Sequence, residues 1–595
     1  LYFVNMTAFS LFHRPSFTDK CLAIRHSTAR HALLAAMFAF SARFRASEIA
    51  TQSTDAQVMR LPTAEHFQGC AQTLIATALK ECADEAPSIE LLQAIVLSTF
   101  AELVRGARGQ SWRSVGVCVR MAYELELHLI DADKPGTGQL KADCDPEVWV
   151  REEERRRIWW TIWEFDVFVS TVRRSPTAID WSQNETLLPV PDSSWFTTTP
   201  QGSCFLDPDP SARWKSLQKS GNQSAKAWFI VVNSMMRNAQ LLSTPKGLFD
   251  ASSASRKRRQ SSSSVPRSRH TLSADSGVDT QEDLAILSNS LSCFALSVPK
   301  HLRYRNEHLS FGNDPITESH RQLEADMYSL HTMTQLARFM IHHRQFFGKA
   351  EGLGSIMPDP VYSSAGSADE PDLRYTGVPD ERPWTRYLDA ADNMVLLLRN
   401  SSPDHIQYVN PFLANTIWMA AAVLLVYRFL GPAKSERTVR LVESKYDLLH
   451  STFTQFADWW NMAPALGEKL TYLQLRLHQL YGAKEPSQGQ NKSFPQRNSK
   501  PATQEKDEVH RNPFGILEEQ QPVFPRLTTP DSLMQVSMDD TNDQLGEMGN
   551  VDLSNPYDVS MDDFLNLKMS DNAELQTFLT DIFSAAAPPD ERIVA

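Results

Sequence analysis

The sequence predicts an all-α protein: a multi-helix body with disordered insertions and a disordered acidic C-terminal tail. Three observations predict it. Apolar residues recur at i, i+3, i+4 and i+7 through successive stretches of the chain. Ahead of Pro176, two-residue alternation bounded by hairpin turns is nowhere sustained. The stretch Glu152 to Ser170 carries Ile158, Ile162, Phe165 and Val169 in a helical stripe that Trp159 and Trp163 widen. That stretch opens with three glutamates followed by three arginines, so Glu152 with Arg156 and Glu153 with Arg157 are i,i+4 pairs, acid first. It should end before Pro176, because proline disfavours helical backbone in the residue ahead of it.

In chain order, His31 to Phe44 is a dense Ala/Leu run expected to form a buried helix. Ala64 to Cys82 and Ile89 to Val104 are two more, separated by Pro87, with Ser88 opening the second. Trp112 to Leu129 is a fourth, ending in a loop broken by Pro135, Gly136 and Gly138. Beyond Glu152–Ser170, the segment Asp180 to Trp214 is rich in proline and aromatics and reads as irregular chain pinned to the helices. Helical periodicity returns at Ala225–Leu242, Asp283–Leu296, Ser319–Phe347, Tyr387–Leu398, Phe412–Leu430, Arg437–Trp460 and Gly467–Tyr481. Phe412 to Tyr427 is apolar but shorter than the ~20 residues a membrane span needs, and it holds Asn415 and Thr416. It reads as a core helix, with no membrane partner. These stretches divide the chain into a helical body, residues 1–482, with insertions at about 250–279 and 348–382, a polar linker 483–529, and a tail 530–595.

Charge separates the tail from the body. From Pro530 to Ala595 there are 14 acidic and 2 basic residues, so of 71 acidic and 59 basic residues in all, the body keeps equal numbers. The net charge of −12 therefore belongs to the tail. Seven cysteines, Cys21, Cys70, Cys82, Cys118, Cys144, Cys204 and Cys293, are scattered without a C-x2-C knuckle, which excludes a zinc module within these residues and argues against a disulfide framework. They read as small core residues in a reducing compartment. No basic-then-apolar leader opens the chain. Leu1 is not methionine, and the chain is expected to lack its true N-terminus.

Four blocks carry a family resemblance. Glu152 through Ser170 followed by Arg173-Arg174-Ser175-Pro176-Thr177-Ala178-Ile179 is the first; within it Glu153, Arg156, Arg157, Trp159, Trp160, Asp166 and Pro176 are the signature positions. Leu1-Tyr2-Phe3 through His13-Arg14-Pro15-Ser16-Phe17 is the second, Ser111 through His128 the third, and Leu188-Pro189-Val190-Pro191-Asp192 with Trp195 the fourth. Together they resemble the fungal-specific transcription factor domain, the middle homology region of the fungal zinc-cluster regulators. Two departures stand out: Glu126 occupies a position where glycine is usual, and Ser175 precedes Pro176 where glycine is commoner. The resemblance implies a nuclear RNA polymerase II regulator whose DNA-reading module, a six-cysteine cluster holding zinc, lies N-terminal to this domain. DNA contact and zinc are thus expected outside this chain, which holds neither a cofactor nor a metal site. Homodimerisation and response to a small-molecule inducer are further implications.

Two constellations have functional readings of their own. Arg256-Lys257-Arg258-Arg259 is a basic run suited to nuclear import. In the tail, Phe564 and Leu565 sit among acids, and Leu575, Phe578, Leu579, Ile582 and Phe583 fall at i, i+3, i+4, i+7 and i+8, one face of a short helix. Such a helix is marginal alone and should form on a coactivator groove. The triple arginine Arg155-Arg156-Arg157 is expected to pair within the fold and not with nucleic acid. His342-His343 lack the i,i+4 placement of a metal pair. No nucleotide-binding, zincin or nucleophile-elbow motif is present, and no nucleophile is placed beside a base, so an enzyme is not expected. The alternative to a DNA-binding regulator is a helical co-regulator or scaffold that does not contact DNA.

Overall fold

Several of the helices start where a side-chain oxygen satisfies a free backbone N–H. Thr63 Oγ1 accepts from His66, Ser88 Oγ from Leu91 and Ser435 Oγ from Thr438, each at 3.2 Å. Asp145 accepts from Glu147 at 2.9 Å, ahead of a proline in the first helical position. A computed structural model describes residues 1–52, 62–134, 145–243, 276–312, 318–347, 382–431 and 435–481. In order, the α-helices are α1 Tyr2–Asn5, α2 Phe17–Ala23, α3 Ser27–Gln52, α4 Ala64–Cys82, α5 Ile89–Arg105, α6 Gly109–Glu124, α7 Pro146–Arg173, α8 Asp192–Phe196 and α9 Arg213–Ser220. They continue as α10 Ala225–Ser243, α11 Ser276–Ser297, α12 Glu318–Phe347, α13 Arg382–Arg399, α14 His405–Tyr408, α15 Ala414–Leu430, α16 Glu436–Trp460 and α17 Ala465–Tyr481. Among the described residues there is no strand, only an isolated bridge between Leu309 and Ser401.

Helix α3 packs on α4 and α5, and α6 on α5 and α7. A second group joins α10 to α12, α12 to α13, and α15 to α13, α16 and α17. Helix α7 touches α5 and α6 on one side and α10 on the other, so it runs between the two groups. That position explains its composition. Ile158, Trp159, Trp160, Ile162, Phe165, Val167 and Val169 are all fully buried, and a helix covered on every side must be apolar all round. Helix α15 is the other such element. Pro411–Leu430 is long and apolar enough to cross a membrane by length and composition, yet 78% of that window lies buried inside the fold. Its Trp418 donates to Leu466 O at 2.7 Å and Trp460 of α16 donates to Ile406 O at 2.8 Å, which satisfies both buried indoles.

The structure corrects some boundaries. The fourth expected helix stops at Glu124 and not at Leu129, because Glu126 turns left-handed at φ 55°. The stretch expected to be irregular holds α8, α9 and the 3-10 turn Trp181–Gln183. Helices α11 and α13 begin at Ser276 and Arg382, inside the far edges of the two expected insertions.

Candidate functional site

The signature helix organises a polar lattice inside an apolar core. Arg156 reaches Asp131 with two parallel bonds, Nε to Oδ2 at 2.8 Å and a terminal nitrogen to Oδ1 at 2.7 Å. It also donates to Glu152 at 2.7 Å and to Glu153 at 3.4 Å. Arg157 donates from Nε to Glu153 at 3.0 Å and from a terminal nitrogen to Val190 O at 2.7 Å, pairs with Asp192, and lies 4.1 Å over the Trp195 ring. Glu153 accepts the Val190 N–H at 3.0 Å, and Asp131 accepts the Leu187 N–H at 2.9 Å. Both i,i+4 pairs read from the sequence therefore form, on residues buried to 5% exposure or less except Glu152. Arg155 points outward and donates to Leu125 O at 2.7 Å.

Burial and pairing compete here. Burial pushes the Asp131 carboxyl up, but the bonds and charge of Arg156, with Lys134 and the Leu187 N–H, hold it below the ordinary value. Complete burial raises the Glu153 carboxyl against the pull of Arg157, Arg156 and the Val190 N–H. Asp166 is likewise raised by burial, against N–H bonds from Ala178 at 3.0 Å and Ile179 at 2.8 Å. Those bonds fasten the chain reversal after α7, where Arg174 is left-handed and Ser170 Oγ donates to Pro176 O at 3.2 Å. Two signature residues, Asp166 and Pro176, thus act on one turn.

All four sequence blocks converge on this helix. From the second, His13 contacts Trp195 O at 3.1 Å through Nε2 and Ser16 Oγ at 2.8 Å through Nδ1, while Ser10 Oγ donates to Asp192 at 2.7 Å. From the third, Tyr123 and His128 pack edge-on or tilted against Trp159, and Leu127 O accepts from Thr186 at 2.7 Å. The fourth is held by Trp160 Nε1 to Leu187 O at 2.8 Å, by Trp195 Nε1 to Val150 O at 3.1 Å and by the lattice itself. Trp159 Nε1 donates to Asn184 Oδ1 at 2.8 Å. The lattice is therefore a structural centre, without a nucleophile or a ligand cradle.

Other expected sites fall elsewhere. The import patch Arg256 to Arg259 and the activation face Phe564, Leu565, Leu575, Phe578, Leu579, Ile582 and Phe583 lie outside the described residues. His342 and His343 are buried, the latter with Nδ1 3.1 Å from the Tyr387 hydroxyl. Among the described residues no group of three His, Cys, Asp or Glu side chains could hold a metal. One reading is corrected: a nucleophile does stand beside a base, since Cys70 Sγ lies 3.7 Å from His66 Nε2 on α4. Their i,i+4 spacing was the available signal.

Residues 1–263 match the family described as fungal specific transcription factor domain. The chain is similar to a Zn(2)-C6 fungal-type transcription factor of Fusarium oxysporum f. sp. lycopersici, 27% identical over 35% of this chain and 21% of that protein. It is similar to the pigment biosynthesis transcriptional activator of Monascus ruber, 28% identical over 20% of this chain and 21% of the relative. An azaphilone cluster-specific transcription factor of Aspergillus niger is 30% identical over 20% of this chain and 26% of its own length. The chain thus spans about a fifth to a quarter of the length of these relatives. No solved structure is significantly similar. The four blocks that converge on this buried helix all fall within residues 1–263, the stretch that matches the fungal specific transcription factor domain.

Proposed function

We propose that this chain is the regulatory and activating portion of a nuclear, DNA-binding fungal transcription factor of the zinc-cluster class. The observation that carries the reading is the domain match over residues 1–263, joined to relatives named as Zn(2)-C6 transcription factors and transcriptional activators. In this reading zinc and DNA are held by a module N-terminal to these residues, the helical body regulates, and the tail recruits coactivators. Arg256, Lys257, Arg258 and Arg259 serve nuclear import. The protein acts by binding and not by turnover, as a homodimer that answers a small-molecule inducer. The acidic surroundings of Leu575, Phe578, Leu579, Ile582 and Phe583 keep that face soluble until a partner groove accepts it.

Fusing residues 530–595 to a heterologous DNA-binding domain tests the division of labour. The fusion should activate a reporter, and Phe578→Ala with Phe583→Ala should silence it. Equal output from the two fusions refutes the amphipathic-face mechanism. Loss of nuclear uptake after replacing Arg256 through Arg259 by alanine tests the import patch, and unchanged uptake removes it.

A further inference from the structure

Helix α6 buries Val115, Cys118, Val119, Met121 and Ala122 against its neighbours α5 and α7. Its opposite face is solvent-facing yet carries large apolar groups: Trp112 is 45% exposed and Val117 39%. The charges around them are cations. Arg108, Arg113 and Arg120 stand exposed on the same stretch of chain. Two arginines of α7 bracket it, Arg173 lying 5.2 Å over the Trp112 ring near the start of α6, and Arg155 donating to Leu125 O just past its end.

This positive charge is not neutralised within the body. The bonds these arginines make run to backbone oxygens: Arg120 to Gly116 O at 3.1 Å, Arg155 to Leu125 O at 2.7 Å and Arg173 to Ala107 O at 3.3 Å. Among the described residues none of the five is ion-paired to an acid. The nearest carboxylates are turned elsewhere. Glu102 accepts from Gln72, Gln110 and Ser114, and Glu124 lies close enough to Cys82 to raise its thiol. Arg113 and Arg120 each fold back over a glycine four residues earlier, so that a Cβ on Gly109 or Gly116 would come within 3.3 or 3.1 Å of the guanidinium. A carboxylate arriving here meets guanidinium groups already laid against the helix, and a bulky apolar side chain meets an open tryptophan, a residue type that anchors interfaces.

We propose that this face of α6 is the docking surface for the chain's own C-terminal segment, residues 571–583. That segment has the complementary composition: Leu575, Phe578 and Ile582 among Asp571, Glu574 and Asp581, within the tail that carries the whole net charge of −12. As a helix it would set Asp571 and Asp581 about 15 Å apart, against about 18 Å between Arg108 and Arg120 along α6. The chain from Tyr481 to Leu575, fully extended, reaches roughly 300 Å, so the tether allows the contact, and because the contact is intramolecular a weak one suffices. Duplex DNA would use the arginines but leave Trp112 and Val117 without a partner. The inference rests on the reading of the tail as the recruiting element: docked on α6, the face of Phe578 and Ile582 is withheld from a coactivator, and the body controls its release.

The test is hydroxyl-radical footprinting of the full chain, read at Trp112 by mass spectrometry, with Leu296, 75% exposed and on α11, as the reference. Phe578→Ala with Phe583→Ala should speed oxidation of Trp112 at least threefold and leave Leu296 unchanged. Arg113→Glu with Arg120→Glu, both on the surface, should give the same rise, and adding Glu574→Arg with Asp581→Arg should reverse it. A Trp112 rate indifferent to the tail overturns the proposal. So does protection that grows with protein concentration, which assigns the face to a second copy, or protection that appears only when duplex DNA is added. The reporter fusion of residues 530–595 lacks α6, so its silence would sink the recruiting role while the footprint still decides the docking.

Discussion

At the scale of single residues, Glu126 and Arg156 show how a departure and a signature position earn opposite predictions. Glu126 adopts φ 55°, a region that costs an L-residue about 1–2 kcal/mol and glycine nothing. The departure from glycine was legible in the sequence, but its meaning was not, because a helix running to Leu129 would have hidden the turn. Glu126→Gly should raise stability by up to about 1 kcal/mol in denaturant titration. No gain would show that the exposed side chain compensates. The second departure, Ser175, has no such explanation, since the left-handed residue is its neighbour Arg174. Arg156→Met leaves Asp131 and Glu153 buried with one cation fewer, and should cost about 3–5 kcal/mol. Arg155→Ala, outside the lattice, should cost well under 1 kcal/mol. Similar losses from both would mean that charge in this segment matters only collectively.

At the scale of elements, periodicity located α4, α5, α10 and α12 to within two residues of their ends. For α4 and α5 the start is a local signal: Thr63 and Ser88 cap by side-chain bonds that sequence alone can name. Ser88→Ala should lower stability by about 1 kcal/mol, measured by thermal unfolding, whereas Ser292→Ala, on an exposed helical face, should not. The short helices α8 and α9 were not legible. They exist because Asp192, Trp195 and Arg213 find partners on α7 and α10, and long-range partners leave no periodic trace. The pairing of the glutamates and arginines of α7 was legible; the role of Asp131, twenty-five residues away from Arg156, was not.

At the scale of the whole molecule, buried histidines set the response to acid. Burial holds His343 down to about 3 and His405 and His331 down to about 4. The unfolded chain protonates them near 6.5, so stability is complete above that pH and is lost as pH falls toward 4. Asp326 works the other way: burial and the charge of Asp192 push it up to about 7, so it gains stability as the folded state takes up a proton below that pH. Three bases outweigh one acid, and the melting temperature should fall between pH 7 and pH 4.5. His343→Phe should flatten that fall and Asp326→Asn should steepen it. Parallel profiles for both variants would show that neither group titrates as placed. The shared carboxylates of the α7 lattice carry a last consequence, for descent. No single exchange among Asp131, Glu153, Arg156 and Arg157 avoids stranding an ion away from water. A lineage can therefore trade these four for greasy packing only by crossing a valley of unstable intermediates, so the set should be inherited together or replaced together.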